Sequence, residues 1–144
     1  MSLTVAYDDG NVFAKILRGE MPCVKVYEDE IALAFMDIFP QSRGHLLVIP
    51  KGVKARNFLD LPTDMVGPYL ARVQRLAQAA AKALSPDGVV VMQFNGAPAG
   101  QTVFHLHFHI IPRWEGETLK GHGAAPKGDI GELQTLAEAI AAAL

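Results

Sequence analysis

With 144 residues, half of them apolar and 19% charged, the chain has the size and balance of one globular domain with a buried core, and neither disorder nor a second domain fits. Thirteen basic against fifteen acidic side chains leave a net charge of −2, with no cationic block, so the chain is expected to bind neither nucleic acid nor an anionic membrane. The single cysteine, Cys23, excludes an internal disulfide and any all-cysteine metal knot. Together with an acidic first stretch unlike a signal peptide, and no apolar run near the ~18 residues of a membrane span, it sets the expectation of a cytoplasmic protein.

Residues 1–10 read as a flexible N-terminus. Asn11 then caps a short helix that puts Val12, Phe13, Ile16 and Leu17 on one face, and Gly19 ends it. Val24 to Glu28 and Ile31 to Met36 read as a hairpin, the second strand placing Ile31, Leu33 and Phe35 on one face and Ala32, Ala34 and Met36 on the other. The loop from Asp37 to Gly44 leads into a third strand, His45 to Ile49, stopped by Pro50. A long helix follows, with Leu70, Val73, Leu76, Ala77, Ala80 and Leu84 at helical spacing; it starts at Pro68, or at Thr63 with a bend at Pro68.

Val89 to Phe94 reads as a β-branched strand, and Val103 to Ile111 as a long strand ended by Pro112. Residues 113–128 form a glycine-rich loop containing His122, read as solvated. Asp129 and Glu132 cap a last helix over 129–144, with Ile130, Leu133, Leu136, Ile140 and Leu144 as its stripe. The predicted architecture is an α+β single domain over residues 1–144: an antiparallel sheet of about five strands, one long helix and a short N-terminal helix.

Chemistry concentrates in His105-Leu-His107-Phe-His109-Ile-Ile111. Alternation on a strand puts three imidazoles on one face and turns Phe104, Leu106, Phe108 and Ile110 toward the core. A metal site competes, but the α-carbons of His105 and His109 lie about 13 Å apart on a strand, too far for one zinc ion at roughly 2 Å from each ligand. A third ligand would have to come from His45 or a carboxylate. Nucleophilic attack on phosphorus explains the row better, because neutral imidazole is a competent nucleophile near pH 7 and its neighbours can orient it, bind phosphate oxygens and protonate a leaving group. His107 has an imidazole on each side. The preceding loop, with Asn95, Gly96, Gly100, Gln101 and Thr102, can aim N–H groups, amides and a hydroxyl at an anion.

This motif resembles the signature of the histidine-triad (HIT) proteins, His-φ-His-φ-His-φ-φ with φ apolar, letter for letter. The Hint-like branch is matched further at Val12 to Pro22, Val26 to Asp29, Ala34 to Ile38, Gly44-His45, Val48 to Lys51, Asn95-Gly96 and Ala99 to Val103. The resemblance implies a HIT-like fold, a homodimer and a purine nucleotide hydrolase or transferase. Its substrates would be nucleoside 5′-phosphate derivatives such as phosphoramidates, adenylates or dinucleoside polyphosphates. It casts His107 as the nucleophile forming a nucleotidyl-histidine, with His105, His109, His45 and Thr102 assisting. It assigns Phe13, Phe35 and Ile38 to the base and Asp37 to the ribose hydroxyls. Asn95, Gly100, Gln101 and Thr102 fall to the phosphate or leaving group, beside His107 and His109. Trp114 is placed at the dimer interface, which the apolar stripe of the long helix is also expected to supply.

Many bacterial relatives hold a structural zinc with a Cys-x-x-Cys near the first helix and a histidine after the third strand. Those positions here are Asn11, Ala14 and Val53, so neither metal nor cofactor is expected. A nucleotide-binding regulatory module with little turnover is the alternative function.

Overall fold

The computed structural model describes residues 3–121 and 124–144; His122 lies outside them. Its helices are α1 (Val12–Leu17), α2 (Thr63–Leu84) and α3 (Ile130–Ala142). The strands are β1 (Lys25–Glu28), β2 (Ala32–Met36), β3 (Leu46–Pro50), β4 (Gly88–Met92) and β5 (Phe108–Arg113). They form one antiparallel sheet in the order β1-β2-β3-β5-β4. This is the α+β, five-stranded, single-domain fold that the sequence predicts. No helix among the described residues is long and apolar enough to cross a membrane.

The alternation in β2 divides the core between the two faces of the sheet. Ala32, Ala34 and Met36 join Leu46, Val48, Ile110 and the buried sides of α2 and α3. Leu33 and Phe35 join Leu47, Ile49 and Phe13 of α1 on the opposite face. The β1–β2 turn is held by Asp29, whose carboxylate accepts hydrogen bonds from Ile31 N, Ala32 N, the Tyr27 hydroxyl and Arg72 of α2. Burial alone would raise the pKa of Asp29, but these donors outweigh it and hold the carboxyl well below its usual range.

The long helix takes the earlier start, at Thr63, with Pro68 inside it. Pro68 removes the bond to the Asp64 carbonyl, and Asp64 is exposed, so water can satisfy that oxygen. The apolar side of this helix packs on its own sheet: Tyr69, Val73, Leu76, Ala79 and Ala80 are buried, and the Tyr69 hydroxyl donates to Val48 O at 2.6 Å. The helix stripe is therefore not the exposed face that the dimer expectation invoked. The exposed apolar strand is β4, at the sheet edge, where Val91 is 48% exposed. In α3 the Asp129 carboxylate caps Glu132 N as expected, whereas Ile130 is exposed and lies off the buried stripe.

The strand expected over Val103–Ile111 is shorter and shifted. β3 offers β5 partners only from Leu46 to Val48, and β4 reaches only to His109, so residues before Phe108 have no strand on either side. Leu106 N instead donates to Ala55 O. Pro112 does not stop the strand either; it pairs with Val89 inside it. Its carbonyl accepts from Ser42 Oγ at 2.6 Å, on the side beyond the end of β3, and there its missing N–H costs no ladder bond.

Candidate active site

The three triad histidines come from two kinds of backbone: His105 and His107 from the irregular segment, His109 from β5. All are buried; between them Leu106 is turned into the main core and half-buried Phe108 packs against it, with Ile110 in the core just beyond. Phe104, expected in that core, is instead half-buried beside Thr102 and Val103 at the surface. Phe13 of α1 packs edge-on against His107 and His105, with ring centroids 4.9 and 6.2 Å away, and the His107 and His109 rings are 4.9 Å apart.

Hydrogen bonds assign protons to these rings. His107 Nδ1 lies 2.7 Å from the His105 carbonyl. A carbonyl only accepts, so Nδ1 carries the hydrogen and Nε2 of the neutral ring carries the lone pair. A second chain starts at Gln41, whose backbone N–H donates to His45 Nδ1 at 3.0 Å. The proton of His45 is therefore on Nε2, 3.0 Å from His109 Nδ1. His109 accepts there, and its own proton falls on Nε2, on the side away from His45. A nucleophilic nitrogen and an N–H donor thus sit on adjacent rings.

These residues open onto a cleft of about 410 Å³ walled by Phe13, Phe35, Ile38 and Val103, with Asp37, Thr102, His107 and His109 as polar groups. One carboxylate oxygen of Asp37 accepts from Phe39 N at 2.8 Å, and the other lies 3.5 Å from His45 Nε2. Of the expected site residues, Phe13, Phe35, Asp37, Ile38, Thr102, His107 and His109 line this cleft. His45, fully buried, stands behind His109. His105 stands behind His107, with its Nδ1 2.7 Å from Tyr7 Oη.

Asn95, Gly100 and Gln101 do not line the cleft. Gln101 Oε1 accepts from Gly96 N, and its amide donates to Arg56 O and Val103 O; Asn95 Oδ1 accepts from Phe58 N and Gln93 Nε2. Gly100, at φ +107°, lies against the Phe94 ring. These three shape the loop that presents Thr102. Cys23, Met21 and Ala125 of the cleft wall, the Gln41 main chain and Tyr7 belong to the site without a motif in the sequence to show it. Their only signal was position, before the first helix or in loops, with no spacing to mark them. Trp114, assigned to an interface, has the Arg43 guanidinium 5.7 Å over its ring.

Burial first, and then the neighbouring His107, lower the pKa of His105 to about 4, while the Pro50 backbone carbonyl pulls upward. In the unfolded chain the same ring protonates near its ordinary 6.5. The stability gained by keeping it neutral is complete above pH 6.5 and disappears as pH falls toward 4, by about 3 kcal/mol. Denaturant titrations between pH 7 and 4 should record this decline, and His105→Asn should flatten it. A wild-type profile level across that window would refute the assignment.

Asp37, His45 and His109 each place one donor atom within 4.8 Å of the others, a spacing that a metal ion can use. Yet His45 Nδ1 already accepts from Gln41 N, so a cation on Nε2 would leave that ring with no proton at all. The cluster suits a proton. The family's structural zinc does not fit either: Ala14 and Val53 have no donor atom, and Asn11 Oδ1 is engaged in capping Ala14 N.

Residues 18–116 match the HIT domain family. Among solved structures, a Hit-like protein from Bartonella henselae, described as involved in cell-cycle regulation, superposes with a TM-score of 0.91 at 50% identity, covering 97% of this chain and 100% of the other. The adenylylsulfatase HINT3 of Arabidopsis thaliana is 41% identical over 117 residues, which are 77% of this chain; the match spans 59% of that longer protein. The adenosine 5′-monophosphoramidase hnt1 of Schizosaccharomyces pombe is 43% identical over 102 residues, 71% of this chain and 73% of the relative. On its triad, its fold and these matches, the chain belongs to the HIT domain family.

Proposed function

We propose that the protein is a nucleotide hydrolase or transferase that cleaves purine nucleoside 5′-phosphate derivatives, phosphoramidates and adenylates foremost, through a nucleotidyl-histidine. The observation that carries this reading is the pair of assigned tautomers: a lone pair on His107 Nε2 beside a proton on His109 Nε2. In the first step His107 Nε2 attacks phosphorus and the bond to the substituent breaks; the His109 Nε2–H hydrogen-bonds the departing atom, which takes its proton from water, so that His109 stays neutral. In the second, a water displaces the nucleotide from His107 and gives up its proton to solvent, which restores the neutral ring. Phe13, Phe35 and Ile38 hold the base, the Asp37 carboxylate meets the ribose hydroxyls, and Thr102 faces the phosphate. His45 keeps His109 in the required tautomer. The names carried by the Arabidopsis and fission-yeast relatives, adenylylsulfatase and adenosine monophosphoramidase, support this substrate class.

Steady-state kinetics on adenosine phosphoramidate tests the reading against the regulatory-module alternative. We expect kcat/KM in the enzymatic range of roughly 10⁴–10⁸ M⁻¹s⁻¹. Tight binding of the nucleotide with no measurable turnover would favour the module. The working form is a homodimer, with the second copy covering the exposed apolar edge at β4. Sedimentation should give twice the 15.5 kDa chain mass, and a monomer at working concentration would contradict it.

A further inference from the structure

Tyr7 lies outside the matched family segment, in the stretch before α1. Its hydroxyl hydrogen-bonds His105 Nδ1 at 2.7 Å, with the two rings 5.7 Å apart. The backbone carbonyl of that same His105 accepts from His107 Nδ1, also at 2.7 Å. His105 is thus held by its side chain from the N-terminal segment and, through its main chain, holds the ring of His107.

The segment carrying Tyr7 is anchored on both sides. Before it, Arg56 donates to Val5 O. After it, Asn11 donates to Asp8 O from both its backbone N and its side-chain Nδ2, and Arg18 donates to Asp9 O. Asn11 in turn caps α1, whose Phe13 packs on both imidazoles. Asn11, Ala14 and Val53 offer no metal-ligand set in this region. Among the described residues the phenol is the side-chain hydrogen-bond partner of the His105 ring, beside the Phe13 ring packed on it and the Pro50 main chain.

We propose that Tyr7 is a positioning residue for the nucleophilic step: its hydroxyl locks the His105 ring and, through the His105 carbonyl, the orientation of His107 Nε2. The proposal rests on His107 being the nucleophile. Tyr7 acts one residue behind the reacting imidazole, as the outer hydrogen bonds of metal-bound histidines do, and those are worth roughly 10- to 100-fold in activity.

Tyr7→Phe keeps the ring packing and removes one hydroxyl. Measured beside wild type on adenosine phosphoramidate, it is expected to lose roughly 10- to 100-fold in kcat with KM unchanged. Proton NMR should also show the His107 Nδ1–H signal broadened by faster exchange with water, while the backbone spectrum stays folded. A general packing defect would not confine itself to kcat. Wild-type kcat in Tyr7→Phe, or a loss appearing only in KM, would overturn the proposal. Absence of turnover in the wild type would overturn the functional reading instead. The NMR comparison would then still decide whether Tyr7 holds His107, a signal as sharp as wild type's counting against it.

Discussion

His107→Ala is expected to abolish turnover, by roughly 10⁴-fold or more, the scale reached when the nucleophile of a concerted catalytic unit is removed. The substitution deletes the ring whose Nδ1 is fixed on the His105 carbonyl, and among the described residues no other group lining the cleft has a lone pair held in that place. Binding should survive. Phe13, Phe35, Ile38 and Asp37 come from α1, β2 and the loop after it, so calorimetry should find a nucleoside monophosphate bound within a few-fold of its wild-type affinity. A variant retaining a tenth of wild-type activity would remove His107 from the nucleophile's role.

The second large effect is expected at His109, and its size should depend on the substrate. The Gln41–His45–His109 chain leaves the His109 proton on Nε2, where it hydrogen-bonds the departing atom. A donor aimed at charge that develops on a departing atom is worth roughly 10²–10³-fold, most where the leaving group is a poor one. His109→Ala should therefore lose that much with a basic amine as the leaving group and far less with one that departs unaided, such as an acidic phenol. His45→Ala should show the same pattern more weakly, since it disturbs only the tautomer. A series of leaving groups measured with both variants reads this directly, and a uniform loss across the series would rule out His109 as the donor to the departing atom.

These expectations depend on features that were unequally visible in the sequence. The alternation in Ala32 to Met36 does divide the core between the two sheet faces, because β2 is central and each side chain had to pack against something. The same period-2 reading extended a strand across Val103 to His107, where no neighbouring strand exists to pair with it. The triad converges all the same. Leu106 and Phe108 anchor the intervening positions in and against the core, while Phe13 meets two of the imidazoles from α1.

Composition at Asn95 and Gln101 suggested polar groups waiting for an anion. Their amides are instead spent tying that loop to its neighbours: Asn95 holds Phe58 N and the Gln93 side chain, and Gln101 bridges Gly96 N to the Arg56 and Val103 carbonyls. Main-chain donors carry no letter of their own. Gln41 N–H, which sets the tautomer of two histidines, and the His105 carbonyl, which sets that of His107, became visible only once the chain was folded. Tyr7 was hidden differently, since nothing in its local spacing marks a residue that reaches 98 positions along the chain.

The measurement closest to the central claim is a chemical one. Wild-type protein mixed with an adenosine phosphoramidate labelled in the adenylate, and quenched in alkali within the first turnovers, should carry the label on one residue. An N–P bond to imidazole survives base and is lost in acid, and peptide mapping should place it on His107. A burst of labelled adduct that is acid-labile, located at His107 and absent from His107→Ala, is the predicted result. Turnover with no label on any histidine, or with His107→Ala still active, would contradict it.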